Sequence, residues 1–183
     1  SLTSTDVTYI QTRNFLQGGG TINAFTRNAG ARLSVVDVGV NYDFGDLPGL
    51  VKRKVMHGAN DFSRGPAMTR EQAMECLQVG IDMAREEKSK GLDIVAAGEM
   101  GIGNTTPSSA IVAVLTGTPV ENVTGRGSGV KGEVIRKKIE LIEQGIALNK
   151  PDPSDAIDVL AKVGGPEIGA MAGLMLGAAS LRV

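Results

Sequence analysis

The strongest constraint on the fold is a junction near the middle of the chain, where an apolar run meets a glycine-rich turn and a helix start. Residues 92–97 are apolar apart from Asp93, which predicts a buried strand. Residues 98–106 follow with three glycines, and Thr106 and Pro107 suit the N-cap and first position of a helix to Thr116. A strand that leads through a glycine turn into a helix is typical of parallel α/β folds.

The segments around this junction fit the same class. Residues 32–40 form a β-branched run that predicts a second buried strand, and residues 41–68 read as a long connection. Thr69 and Gln72 have capping-box spacing before a helix to Lys90. We therefore predict an α/β fold with a parallel-sheet Rossmann-like core and flanking helices.

The last predicted helix, which starts at Pro166, has a stripe of small residues. Gly169, Gly173 and Gly177 recur every four residues, and no charged residue lies between Ile168 and Leu181. This pattern predicts a completely buried helix pressed against a neighbour. Two strands are few for so many helices, and a buried helix is an unusual ending. The pattern therefore predicts a fragment, or a domain whose sheet is completed elsewhere.

Composition removes several functional classes. The 19 basic and 20 acidic residues leave a net charge of −1, so no global field favours nucleic acid. One cysteine excludes an intrachain disulfide, and with one histidine it argues against a metal cluster. No apolar run is long enough to span a membrane, which predicts a cytoplasmic protein. The 25 glycines are roughly twice the usual share and predict close backbone approaches.

The turn after residue 97 is the best candidate for chemistry. Backbone N–H groups at a helix start favour phosphate, and glycines let the chain curl around it. Neither a Walker loop nor the dinucleotide fingerprint is present. Glu99 would repel a phosphate, so it either faces another part of the ligand or caps a turn or pairs with a lysine. Asp37, at the end of the first predicted strand, either orients a ribose or caps the following loop.

Residues 98–106, which read Gly-Glu-Met-Gly-Ile-Gly-Asn-Thr-Thr, resemble the signature of the nicotinate-nucleotide:dimethylbenzimidazole phosphoribosyltransferase family. Residues 36–40, 64–69 and 163–165 are similar to that family in the same order and spacing. The resemblance implies a parallel α/β domain with a small helical domain, assembled as a homodimer. It also implies transfer of phosphoribose from nicotinate mononucleotide to 5,6-dimethylbenzimidazole during assembly of the cobalamin lower ligand, without a cofactor or metal.

The resemblance assigns roles by position. Glu99 matches an active-site carboxylate. The phosphate of the mononucleotide would be bound by five residues: Gly101, Asn104, Thr105, Gly127 and Lys138. Gln11 and Thr3 match positions that line the benzimidazole pocket.

The chain also departs from the family pattern. The family's principal base is a glutamate in a Gly-Glu-Gly motif, which does not occur in this sequence. The resemblance therefore implies that residues 1–183 are the central part of a single α/β phosphoribosyltransferase domain, truncated at both ends. The chain alone is expected to be impaired as a catalyst, and the alternative is a non-catalytic nucleotide-binding or regulatory module. A dinucleotide-binding oxidoreductase is a weaker rival, because its fingerprint is absent.

Overall fold

The computed structural model describes residues 6–125 and 132–183, and within them the fold is mainly helical around one small parallel sheet. The helices are α1 (Asp6–Leu16), α2 (Thr21–Ala29), α3 (Arg70–Ser89), α4 (Thr105–Thr116), α5 (Val120–Val123), α6 (Gly132–Asn149), α7 (Ala156–Val163) and α8 (Pro166–Ser180). The strands are β1 (Val35–Asp37) and β2 (Leu50–Lys52). The predicted α/β class and parallel pairing are confirmed.

The two strands pair in parallel, and only one of them was predicted. Val35 faces Leu50, and Asp37 faces Lys52. The long connection predicted over residues 41–68 is interrupted by a strand that was not predicted, because β2 lies inside it. Leu50 and Val51 are too short an apolar run to signal a strand by themselves, and pairing with β1 supplies the hydrogen bonds that make one.

The predicted strand over residues 92–97 is also wrong. This segment has neither strand nor helix, and Ile94 is 87% exposed. A strand needs a neighbour to pair its backbone groups, and within the described residues this segment pairs with none. The apolar run alone could not reveal that. Its position immediately before the glycine turn is unchanged.

Helix starts follow the predicted chemistry closely. At α3, the backbone N–H of Gln72 donates to Thr69 Oγ1 at 3.2 Å, and the N–H of Thr69 donates to Gln72 Oε1 at 2.9 Å. This confirms the capping box. Helix α4 begins at Thr105 with Asn104 as N-cap, slightly earlier than predicted. Pro107 still lies in the first turn, where its missing N–H costs nothing.

Helix α8 packs along α3 through its glycine face, as the spacing predicts. A Cβ atom at Gly173 would overlap the backbone oxygen of Leu77, and one at Gly80 would overlap that of Ala170. The two backbones therefore touch without side chains between them. The expectation of complete burial is wrong for the opposite face, where Met175 and Leu176 are each 61% exposed.

Cys76 lies on α3, in a core cluster with residues of α7, and should be chemically inert. Its side chain has 0% exposure, and burial, followed by the charges of Glu75 and Glu167, raises the pKa of the thiol to about 12. Because a free cysteine has a pKa of about 8.5, the folded thiol holds on the order of 10³-fold less thiolate. We expect labelling by an aromatic disulfide reagent at pH 8 to require unfolding in urea. Rapid labelling of the folded chain would contradict this placement.

Candidate functional site

The glycine turn before α4 is shaped by short-range backbone bonds. The N–H of Asn104 donates to the oxygen of Gly101, and that of Thr106 to the oxygen of Gly103, each at 3.0 Å. Gly103 has a φ of +90°, a conformation that side chains with a Cβ rarely adopt. The tightly turned loop leads directly into the first turn of α4, so the N-terminus of the helix lies against the loop.

Helix α1 supports the turn from the side. The N–H of Ile102 donates to Thr8 Oγ1 at 3.2 Å, and Thr8 is buried. One turn along the helix, Thr12 Oγ1 donates to the backbone oxygen of Thr8 at 2.8 Å. Thr8 therefore joins the N-terminal helix to the loop across 94 residues of sequence.

Lys138 reaches the start of α4 from α6. Its Nζ donates to Thr105 Oγ1 at 2.9 Å and to the oxygen of Gly125 at 3.4 Å. Both acceptors are neutral, and partial burial lowers the pKa of Lys138. An ammonium group beside a helix N-terminus creates a local positive potential, and an anion such as phosphate complements both.

Asn104 and Glu167 link the starts of two helices. Asn104 Nδ2 donates to Glu167 Oε1, and Glu167 lies in the first turn of α8. On its other side, Asn104 Oδ1 accepts a hydrogen bond from Ser108 Oγ at 2.9 Å. The N-termini of α4 and α8 therefore converge on the glycine turn.

Glu99 stands beside this convergence with a perturbed carboxyl group. Partial burial of the carboxyl, followed by repulsion from Glu167, raises the pKa of Glu99, and a hydrogen bond from the Gly101 backbone opposes the rise. A Cβ atom at Gly101 would lie 3.4 Å from Glu99 Oε2 and 3.5 Å from Glu167 Cδ. A raised pKa suits a carboxylate that accepts a proton near neutral pH.

The predicted site residues are therefore only partly brought together. The four predicted residues Glu99, Gly101, Asn104 and Thr105 lie in or next to the turn, and Lys138 contacts Thr105. Gln11 lies on α1, where its Oε1 accepts a hydrogen bond from Asn14 at 3.2 Å. Thr3 and Gly127 lie outside the described residues.

Three residues of the site were not predicted from the sequence: Thr8, Ser108 and Glu167. The hydrogen bond from Asn104 to Glu167 spans 63 residues, so no local pattern could reveal it. The one available signal was an acidic residue in the first turn of α8, which is also explained by the helix dipole.

Asp37 is explained by structure rather than by a ligand. Its carboxylate is 3% exposed; Oδ1 accepts from the backbone N–H of Val40 at 2.9 Å, and Oδ2 pairs with Lys54 Nζ at 2.8 Å. Of the two roles left open by the sequence, the structure supports the loop cap. Across residues 6–125 and 132–183, no group of histidine, cysteine and acidic side chains could hold a metal ion. None of the helices in these ranges is long and apolar enough to cross a membrane.

Comparison with known proteins shows the family of this chain. The chain matches the model of a phosphoribosyltransferase family over residues 1–183. It is 56% identical over 178 residues to the nicotinate-nucleotide–dimethylbenzimidazole phosphoribosyltransferase of Geobacter sulfurreducens, a match that covers 97% of this chain and 51% of the relative. The chain thus spans about half the length of the curated relatives that it matches.

Two solved structures from Thermus thermophilus are also similar. The crystal structure of CobT aligns with a TM-score of 0.92 at 42% identity, covering 99% of this chain and 54% of that one. A structure described as nicotinate-nucleotide-dimethylbenzimidazole phosphoribosyltransferase aligns with a TM-score of 0.88 at 39% identity, covering 99% and 53%. The family predicted from the glycine turn is confirmed, and the chain belongs to the nicotinate-nucleotide–dimethylbenzimidazole phosphoribosyltransferase family.

Proposed function

We propose that the full-length protein carrying this chain transfers phosphoribose from nicotinate mononucleotide to 5,6-dimethylbenzimidazole, giving α-ribazole 5′-phosphate and nicotinate in cobalamin biosynthesis. The observation that carries the proposal is the placement of Lys138 at the N-terminus of α4, with Glu99 on the same turn. The cation and helix end suit the phosphate, and the carboxylate suits a reacting centre that loses a proton.

The chemistry assigns a task to each part of the site. A benzimidazole nitrogen attacks the anomeric carbon with inversion, the bond to nicotinate breaks, and its electron pair leaves on the nicotinate nitrogen. The attacking ring must then lose its N–H proton. Glu99 either accepts that proton or stabilises positive charge that develops on the ribose. Gly101, Asn104 and Thr105 bind the phosphate with Lys138, and we also assign Gly127 to the phosphate and Gln11 and Thr3 to the benzimidazole.

Calorimetry on this chain and a turnover assay on the full-length protein test the proposal together. We expect nicotinate mononucleotide to bind this chain, inorganic phosphate to compete with it, and the full-length protein to form α-ribazole 5′-phosphate from both substrates. Tight binding of NAD without binding of the mononucleotide would instead support a dinucleotide-dependent enzyme. Binding without transfer by the full-length protein would support a nucleotide-binding or regulatory module.

Lys138→Ala should mainly weaken mononucleotide binding. Loss of a charge-assisted hydrogen bond to phosphate costs about 1.5–3 kcal/mol, which is roughly a 10- to 100-fold rise in Kd. Calorimetry measures this change. Lys137→Ala is the matched control, because Lys137 is its exposed neighbour on α6. Equal weakening by both variants would show a general charge effect and remove Lys138 from the phosphate site.

We further propose that the protein works as a cytoplasmic homodimer. Exposed Met175 and Leu176 on α8 support burial of that face against additional protein. Light scattering on the full-length protein should give twice the monomer mass, and a monomer at micromolar concentration would contradict the dimer.

A further inference from the structure

Glu167 is an acidic residue inside a site assigned to phosphate. The presence of this negative charge needs an explanation. A carboxylate there repels the phosphate of the substrate, so its presence points to another role in the site. We propose that Glu167 is a positioning residue of this site, which orients the Asn104 amide toward the substrate phosphate and places a second negative charge beside Glu99. This inference rests on the proposed function and adds a residue to it.

The first part of the argument is the orientation of the Asn104 amide. Its Oδ1 accepts from Ser108 Oγ at 2.9 Å, and its Nδ2 donates to Glu167 Oε1. A flipped amide would place its oxygen against the carboxylate and lose the bond to Glu167. The amide nitrogen carries two N–H donors, and Glu167 uses one. The other remains as the donor with which Asn104 can bind a phosphate.

The second part is that the protein is built to hold the Glu167 carboxylate in this place. A Cβ atom at Gly165 would lie 2.6 Å from Glu167 Oε1, so the glycine leaves room for the carboxylate. Pro166 restricts the backbone immediately before it. Helix α8 is fixed along its length by direct backbone contact with α3. Glu167 therefore sits on a rigid element.

The third part is charge. Glu99 and Glu167 flank Gly101. A Cβ atom built on this glycine would lie 3.4 Å from Glu99 Oε2 and 3.5 Å from Glu167 Cδ. The charge of Glu167 therefore favours the protonated form of Glu99. The charged residue of α8 that acts on Glu99 is Glu167. Within its own loop, Glu99 accepts a hydrogen bond from the Gly101 backbone. The cation of the site is Lys138, which comes from α6. Removing the charge of Glu167 should therefore let Glu99 ionise at lower pH.

Two variants of the full-length enzyme separate the two effects. Glu167→Gln keeps an acceptor oxygen for Asn104 and removes the charge, whereas Glu167→Ala removes both. We expect the alanine variant to raise the KM for nicotinate mononucleotide about tenfold, and the glutamine variant to change it less than about twofold. In both variants the acidic limb of the kcat–pH profile should move to lower pH. Glu143→Gln, an exposed glutamate on α6, is the control and should move neither quantity.

A readout that does not depend on turnover tests whether Glu167 orients the Asn104 amide. In the ligand-free protein, the side-chain amide resonance of Asn104 should shift in Glu167→Ala and stay close to its original position in Glu167→Gln. An unchanged Asn104 resonance in Glu167→Ala, equal KM changes in the two variants, or an unmoved acidic limb would each overturn the inference. An inactive wild-type enzyme with the expected resonance shifts would instead reject the proposed function and leave the positioning of Asn104 established.

Discussion

Gly173→Ala is expected to destabilise the protein by about 3 kcal/mol, although alanine is normally the better helix former by about 1 kcal/mol. The reason is the backbone of α3. A methyl group at this position would overlap the main-chain oxygen of Leu77, which cannot rotate away as a side chain could. The two helices would have to separate, and the buried residues beside this contact would lose neighbours.

Urea unfolding followed by circular dichroism measures the change. Glu75→Ala, on the facing helix α3, is the control, because its side chain is exposed and its loss should cost less than about 0.5 kcal/mol. Gly80→Ala, on the facing helix, should resemble Gly173→Ala because its Cβ would overlap the backbone of Ala170. A stabilised Gly173→Ala variant would show that α3 and α8 do not pack at backbone contact.

The packing of α8 was predictable because it follows from a local pattern. Glycines at a spacing of four must share one helix face, and a face without side chains is useful only where something approaches closely. The opposite face was not predictable in the same way. Met175 and Leu176 are as apolar as core residues, and hydropathy cannot show which apolar side chains lack a neighbour.

The strands show the limit of local patterns more clearly. Residues 92–97 have a strand-like composition but no partner strand within the described residues, whereas Leu50–Lys52 is short and forms a strand because β1 lies beside it. Sheet formation depends on pairing between distant segments. The parallel α/β class could be predicted from the order of elements, while the individual strands could not.

The residues of the candidate site likewise fall into those that a local pattern reveals and those that only the fold brings together. The turn over residues 98–104 was identified because its glycines and the following helix start are adjacent in sequence. Lys138 was assigned by resemblance to the family; the structure places it beside Thr105, and its role toward phosphate stays a prediction. Thr8 and Glu167 contact the turn from 94 and 63 residues away, and only the fold brings them there.

Glu99→Gln in the full-length enzyme is expected to lower kcat by about 10²-fold, the lower end of the usual contribution of an acid–base group, because the family's principal base is a different glutamate. Glutamine has nearly the same shape but cannot take up the proton or carry negative charge. Binding of nicotinate mononucleotide should be unchanged or slightly tighter, because a carboxylate near the phosphate has been removed. Steady-state kinetics with calorimetry separates the two effects, and Asp93→Asn, an exposed position earlier in the chain, is the control.

The dependence of kcat on pH provides a second test of the role of Glu99. Burial and the charge of Glu167 raise the pKa of Glu99, so its carboxylate form is lost at a higher pH than that of an ordinary glutamate. Wild-type kcat should therefore decline on the acidic side at a higher pH than an ordinary carboxylate would cause, and Glu99→Gln should lack that decline. An unchanged rate in Glu99→Gln would remove Glu99 from the reacting centre. A slow variant that keeps the acidic decline would assign the proton to another group and leave Glu99 the role of stabilising charge on the ribose.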